Sequence, residues 1–366
     1  MTRSSAVPHA RYQVVVTSPG DAIPSTLRAV ADGLARPVSE VAEAIFRAPT
    51  VLVDDLDTET ATALDRLLAS LGLESHVAPH GQVLPDEVLL DVAVQVQDAA
   101  RVSAVTESLG AFLGVSTQRA FGLLASPPGV VLGGVGVAAV ESLSRRLGKD
   151  VQVIRAPSDV GPFDLHVASV ASVPPWLQAR LRERKQPVRP GWIPLSLSYA
   201  EARSIWASLG RESGIRLVSR ALMRWDLVLS AQAAPAGDVL VWLEERFGIP
   251  PNVAPRVLAH PPLALAEICE AAYARQCLDE GRSLGLSIDI EPSGFGRAGI
   301  ELLVARDAGQ LKAVLARFGL SQTVRIPSLI VADLSDLEAR VLTHELAAVG
   351  ARTRFVDAVT TSGEVT

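Results

Sequence analysis

Few residues in this chain have the types and spacings that chemistry requires. Its six histidines are His9, His76, His80, His166, His260 and His344, and none stands at zinc-ligand spacing from a cysteine or from another histidine. Cys269 and Cys277 are the two cysteines. They fall together on an expected helix, which excludes a disulfide framework and points away from thiol catalysis. Asp54, Asp55, Asp57 and Glu59 form the densest acidic group. They lack the Asp-x-Asp-x-Asp-Gly pattern of a calcium loop, and acids just ahead of an apolar-periodic segment read as caps of a helix N-terminus. The stretch GGVGVAAV, 133–140, approaches a dinucleotide-binding loop, but Ala139 stands where the third glycine belongs. It reads as a glycine-rich strand-to-helix turn. The chain contains no Gly-x-Ser-x-Gly elbow and no phosphate loop. The expectation is a protein that is not an enzyme, with no catalytic residues, no cofactor and no metal.

Two features point instead to recognition. Arg180, Arg182, Arg184, Lys185 and Arg189 crowd into ten positions of a chain whose net charge is -6. All five tryptophans, Trp176, Trp192, Trp206, Trp225 and Trp242, fall between positions 176 and 242. Arginine and tryptophan are the residues enriched at the energetic centres of protein interfaces. The candidate partner-binding residues are therefore Arg180, Arg182, Arg184, Lys185, Arg189, Trp176, Trp192 and Trp206. The expected partner is another protein. Nucleic acid is not expected, and salt-sensitive RNA binding through the basic segment is the reading that would replace it.

The composition fits this picture. The chain has 366 residues, 48% hydrophobic but only 4% aromatic, so its cores must be built from Val, Leu, Ile and Ala. Of 34 basic residues only Lys149, Lys185 and Lys312 are lysine, a bias that suggests a GC-rich bacterial genome. The N-terminal MTRSSAVPHARY has no signal-like apolar core, and no apolar run reaches bilayer length. A soluble cytoplasmic protein with no membrane partner is expected.

The elements that would position these residues repeat. A helix-Gly-strand ending occurs at Leu71-Gly72, Leu147-Gly148, Leu209-Gly210, Leu284-Gly285 and Val349-Gly350. Glycine just past a helix can take the left-handed backbone that turns the chain into a strand. Counting back from these endings gives a flexible lead at 1–11 and five units of order β-α-α-β-α-β. They span 12–79, 90–157, 163–222, 225–292 and 299–358, before a polar tail at 359–366. The third unit is degraded: PVRPGWIPLSLS replaces its second helix. In the short fifth unit the second helix shrinks to SQTVR, 321–325. The linkers are tight, so the units are expected to pack as a short array.

The first unit resembles the C-terminal domain of the bacterial ribosomal stalk protein and, more distantly, the ClpS adaptor of Clp proteases. The residues that carry the resemblance are YQVVVTSPGD, LRAVADGLARPVSEVAEAIFRAPTVLVDDL and TATALDRLLASLGLESHV, with the short second helix ending in Ala48-Pro49. The resemblance implies a two-layer α+β unit with three helices on one face of a three-stranded sheet. It also implies a protein-binding role, because the stalk domain docks translation GTPases and ClpS docks degrons and an ATPase. The chain departs from both families at their functional positions. Ser39 and Ala42 stand where the stalk domain has lysines, and Ser18-Pro19-Gly20-Asp21 replaces the Asn-Asp pair of ClpS. The expectation is a non-enzymatic scaffold or adaptor within a larger bacterial assembly. Delivery of substrates to a AAA+ protease, or association with the ribosome or RNA, stand as alternatives.

Overall fold

A computed structural model of the chain describes residues 10–149, 151–188, 191–209 and 214–357. Most of the expected lead, the tail 359–366, Arg189 and Gly210 lie outside the described residues. The chain divides into two compact units, Met1–Gly161 and Pro162–Thr366.

The first unit holds two sheets with their helices. The elements of the first are β1 (Tyr12–Ser18), α1 (Pro24–Gly33), α2 (Val38–Phe46), β2 (Thr50–Leu56), α3 (Thr58–Ser70) and β3 (Glu74–Pro79). Those of the second are β4 (Leu90–Gln95), α4 (Val102–Leu113), α5 (Thr117–Leu124), β5 (Val130–Val135), α6 (Val137–Leu147) and β6 (Gln152–Pro157). The second unit holds three sheets. Around the first of them lie β7 (Phe163–Val167), α7 (Pro175–Glu183), β8 (Gly191–Leu197), α8 (Tyr199–Ser208) and β9 (Ile215–Ser219). Next come β10 (Trp225–Leu229), α9 (Gly237–Phe247), α10 (Ala254–Ala259), β11 (Leu263–Cys269), α11 (Ala271–Ser283) and β12 (Ile288–Pro292). The last set is β13 (Arg297–Val304), α12 (Ala308–Arg317), β14 (Ser328–Ser335), α13 (Asp336–Ala348) and β15 (Arg352–Asp357). The fold is α+β, with five three-stranded antiparallel sheets among the described residues, each with its opening strand in the middle.

Local signals explain the helix boundaries. The Asp57 side chain caps α3 by accepting from the Thr60 N–H at 2.8 Å, whereas Asp54 and Asp55, expected to share that role, lie in β2 and pair with His80 and Arg11. Ser198 and Ser335 form capping boxes with Glu201 and Glu338 at the starts of α8 and α13. Gly72, Gly148, Gly285 and Gly350 all have φ between 75° and 86°, as the helix-Gly-strand reading requires. The first helix of each set closes in the same left-handed way, at Ala35, Gly114, Lys185, Gly248 and Gly319. The following N–H then reaches back into the last turn, for example from Arg36 to Ala31, Gln186 to Leu181 and Leu320 to Leu315. By this ending α7 is a first helix, and no second helix follows it among the described residues. Residues 321–325, expected as a shortened helix, form none. The segment leads into Pro327, which drives the residue before it toward extended backbone.

The apolar residues of each opening strand enter a core with the helices above it. Val14 and Val16 pack with Val30, Val41, Ile45 and Leu68. Leu165 and Val167 pack with Leu177, Leu181 and Ile205. The second strand of the first four sheets carries a left-handed residue at a bulge: Asp55, Gly134, Ser196 and Ile268. In three sheets a carboxylate on the opening strand accepts from the bulge N–H. Asp91 takes Gly134 at 3.0 Å, Asp164 takes Ser196 at 2.9 Å and Asp226 takes Ile268 at 2.9 Å. The residue just past the closing strand completes each node: Ser158 on Asp91 at 2.7 Å, Arg220 on Asp164 at 2.8 Å, and Ser293 on Asp226.

Candidate protein-binding site

The candidate residues sit around the sheet of β7, β8 and β9. Its centre is Asp164, whose side chain is fully buried. The carboxylate accepts from the Leu195 N–H at 2.8 Å, the Ser196 N–H at 2.9 Å, the Trp192 indole at 3.1 Å, and Arg220 Nε at 2.9 Å. Burial pushes its carboxyl up, but Arg220 and the two amides outweigh burial and hold it below the ordinary carboxylate value. This node fixes Trp192. Its indole N–H is used internally, and its ring meets Trp225 edge-on with centroids 5.6 Å apart.

The helices above the sheet carry the other candidates. Leu177 and Leu181 of α7, with Ala202 and Ile205 of α8, face the core. Glu201 ties the C-terminal end of α7 to the N-terminal end of α8, lying 2.7 Å from Arg184 and 3.7 Å from Arg180. Its carboxyl is held low first by the Ser198 N–H and hydroxyl and then by Arg184. Arg184 also donates to the Leu195 carbonyl at 3.1 Å. Arg180 and Arg184 thus serve the module's own structure. Arg182 and Lys185 are exposed, and Arg182 donates to Gln178 at 3.4 Å. Trp176 and Trp206 lie outside the core with 40% and 55% of their surface exposed, and Tyr199 is 43% exposed. Tyr199, Arg203 and Trp206 follow at helical spacing on the outer side of α8.

Of the eight predicted residues, Trp176, Trp206, Arg182 and Lys185 present themselves to solvent. Trp192, Arg180 and Arg184 are engaged within the module, and Arg189 lies outside the described residues. Compared with protein-family models, with curated proteins and with solved structures, the chain matches none of them.

Sequence reasoning missed the bulge-binding carboxylates Asp91, Asp164 and Asp226. Their signal was present in the opening strands LDVAV, FDLHV and WDLVL, where one aspartate recurs between apolar neighbours. The glycine-rich turn at 133–140 has two structural duties. Gly134 supplies the bulge, and Gly136 lies so close to the first sheet's helices that an added methyl would overlap the Ala48 carbonyl oxygen. Among the described residues no three His, Cys, Asp or Glu side chains gather into a group able to hold a metal, and no helix is long and apolar enough to cross a membrane.

Proposed function

We propose that this chain is a non-enzymatic protein-binding scaffold or adaptor, a component of a larger bacterial cytoplasmic assembly, and that the outer faces of α7 and α8 form its contact surface. The observation that carries this reading is the pair Trp176 and Trp206. Two large aromatic side chains are held in solvent on helices whose opposite faces are buried. Such side chains have little to do for the fold and much to offer a partner, because each brings a large rigid apolar area at low entropic cost. Arg182 and Lys185 at the end of α7 and Arg203 one turn from Trp206 on α8 add exposed positive charge, which suits a partner surface with acidic residues at its rim.

The resemblance to the stalk domain and to ClpS supports the same class of function. In this reading the modules are tandem stalk-like units, complete in the first, second and fourth and reduced in the third and fifth. A ClpS-like role in delivering substrates to a AAA+ protease is the second reading, and selective binding of peptides by their N-terminal residue would distinguish it. Association with RNA is the third, and binding that falls steeply with salt would distinguish that one.

The test is affinity purification from the native host with Trp206→Ala and Arg182→Glu, alone and combined. Both side chains lie outside the core, so the variants should keep the wild-type unfolding midpoint. Truncating an interface hot spot costs about 2 kcal/mol or more, about thirty-fold in affinity. The specifically captured partner should therefore be lost from the double variant. Capture unchanged by the double substitution would remove this surface from consideration.

A further inference from the structure

The closing helix of the second module is displaced from its own sheet. In the first and fourth modules the equivalent helices α3 and α11 pack along the closing strands β3 and β12, whereas α6 lies against α4 and β1 and scarcely touches β6. Long-range contacts hold it there. The Gly136 N–H donates to the Phe46 carbonyl at 2.9 Å, pinning the start of α6 to the end of α2. Ser142 donates to the Gly20 carbonyl, and Arg146 reaches the Ala22 carbonyl at 2.9 Å while its guanidinium lies 5.2 Å from the Phe112 ring centre.

The displacement opens a groove of about 760 Å³ between α6 and β6. It is lined by Val140, Ser144 and Val153, with Glu74, Glu141, Arg145 and Arg155 around them, and it continues toward Val151 and Lys149. Among the described residues β6 is an outer strand that pairs only with β4. The Ser158 N–H donates to the Leu89 carbonyl, and the register from Gln152 to Pro157 is unbroken. By antiparallel alternation the even-numbered residues of β6 bond to β4, and Val153 and Arg155 turn their N–H and C=O groups to the open side. One strand therefore offers unused main-chain groups, an apolar floor and a charged rim in the same place.

We propose that this groove takes an extended acidic peptide segment of a partner protein, added to β6 as a fourth strand. The mode is strand addition, in which main-chain bonds give affinity and the lining side chains give selectivity. Charge selects the occupant. Arg145, Lys149 and Arg155 face the groove against two carboxylates, and among the described residues neither Lys149 nor Arg155 has an ion-pair partner, while Arg145 is only 3.9 Å from Glu74. Only every second residue of an added strand faces the groove, the side to which Val153 and Arg155 both point, so residues on that one face would be apolar against Val140, Val151 and Val153 and acidic against Arg145, Lys149 and Arg155. A nucleic acid strand would be repelled by Glu74 and Glu141 and finds no aromatic ring in the lining on which to stack.

The experiment uses the full-length chain and two labelled, end-capped heptapeptides in which every second residue is serine and the others run Val, Glu, Val, Glu or Val, Lys, Val, Lys, so that both kinds share one strand face, followed by fluorescence anisotropy. The acidic peptide should bind and the basic one should bind at least ten-fold more weakly. Val153→Pro removes a main-chain donor that the sheet does not use, a position at which an outer strand tolerates proline, and should abolish binding while leaving the circular dichroism and the unfolding midpoint near wild type. Arg145→Glu with Arg155→Glu touches no main chain and should invert the preference between the peptides, which keeps the proposal testable if the proline variant does not fold. Failure of the acidic peptide to bind at millimolar concentration overturns the proposal. So does binding indifferent to the charge reversal, or displacement of the peptide by oligouridylate.

Discussion

At the scale of single residues, His166 and Asp164 make opposite demands on their surroundings from neighbouring positions of β7. His166 lies against Phe295, ring centres 5.6 Å apart, and its Nδ1 is buried without a hydrogen-bond partner among the described residues. Burial, reinforced by the positive charges of Arg216 and Arg297, pulls its pKa from 6.5 down to about 4. The folded form therefore keeps the ring neutral, and the unfolded chain binds the proton more readily. The contribution to stability is complete above pH 6.5 and is lost as the pH falls toward 4. At about 1.4 kcal/mol per pH unit this amounts to about 3 kcal/mol. Urea unfolding of the wild type should show this loss between pH 7 and pH 4, and His166→Phe should flatten it. Asp164 works in the other direction of charge. Its carboxylate must stay ionised to hold Arg220, Trp192 and the bulge, so Asp164→Asn should cost about 3 kcal/mol at pH 7 by leaving Arg220 poorly compensated. A urea midpoint within error of wild type would show that the node is dispensable.

At the scale of elements, position 136 decides where α6 lies. Gly136→Ala would drive a methyl into the Ala48 carbonyl. The expected cost is about 1–3 kcal/mol for forced repacking, read as a lower urea midpoint, with α6 pushed away from the first module. The helix-to-strand endings were legible because left-handed backbone selects glycine, and the opening strands because their valines alternate. The cap at Asp57 was of the same kind, since a cap is a contact between residues three apart, and the unread capping boxes at Ser198 and Ser335 carry the same local signal, a glutamate three residues on. What stayed hidden depends on contacts over a hundred positions apart, such as Ser142 with Gly20 and Arg146 with Ala22. No local periodicity records those, so the groove beside β6 could not be read in advance. The candidate surface was legible in part. Clustering identified Trp176, Trp206 and Arg182, but the same clustering could not reveal that Arg180 and Arg184 answer to Glu201 or that Trp192 answers to Asp164.

At the scale of the whole molecule, the division into Met1–Gly161 and Pro162–Thr366 carries its own expectation. The first unit contains complete cores and the long-range contacts that seat α6, all within its own residues. Residues 1–161 produced alone should give a single cooperative thermal transition, and a broad or absent transition in calorimetry would show that the remainder of the chain is required.

The bulge-binding carboxylates of β4, β7 and β10 have a consequence for how such a chain reaches its native state. Tandem look-alike segments invite one segment to insert its last strand into a neighbour's sheet during synthesis. Here the closing residues are not interchangeable. Asp164 is matched by the cation Arg220, whereas Asp91 and Asp226 are matched by the hydroxyls of Ser158 and Ser293. A trespassing strand would strand Asp164 without a counter-charge, or force a guanidinium into a pocket shaped for a serine. The third sheet thus carries a password that the sheets before and after it in the chain do not share.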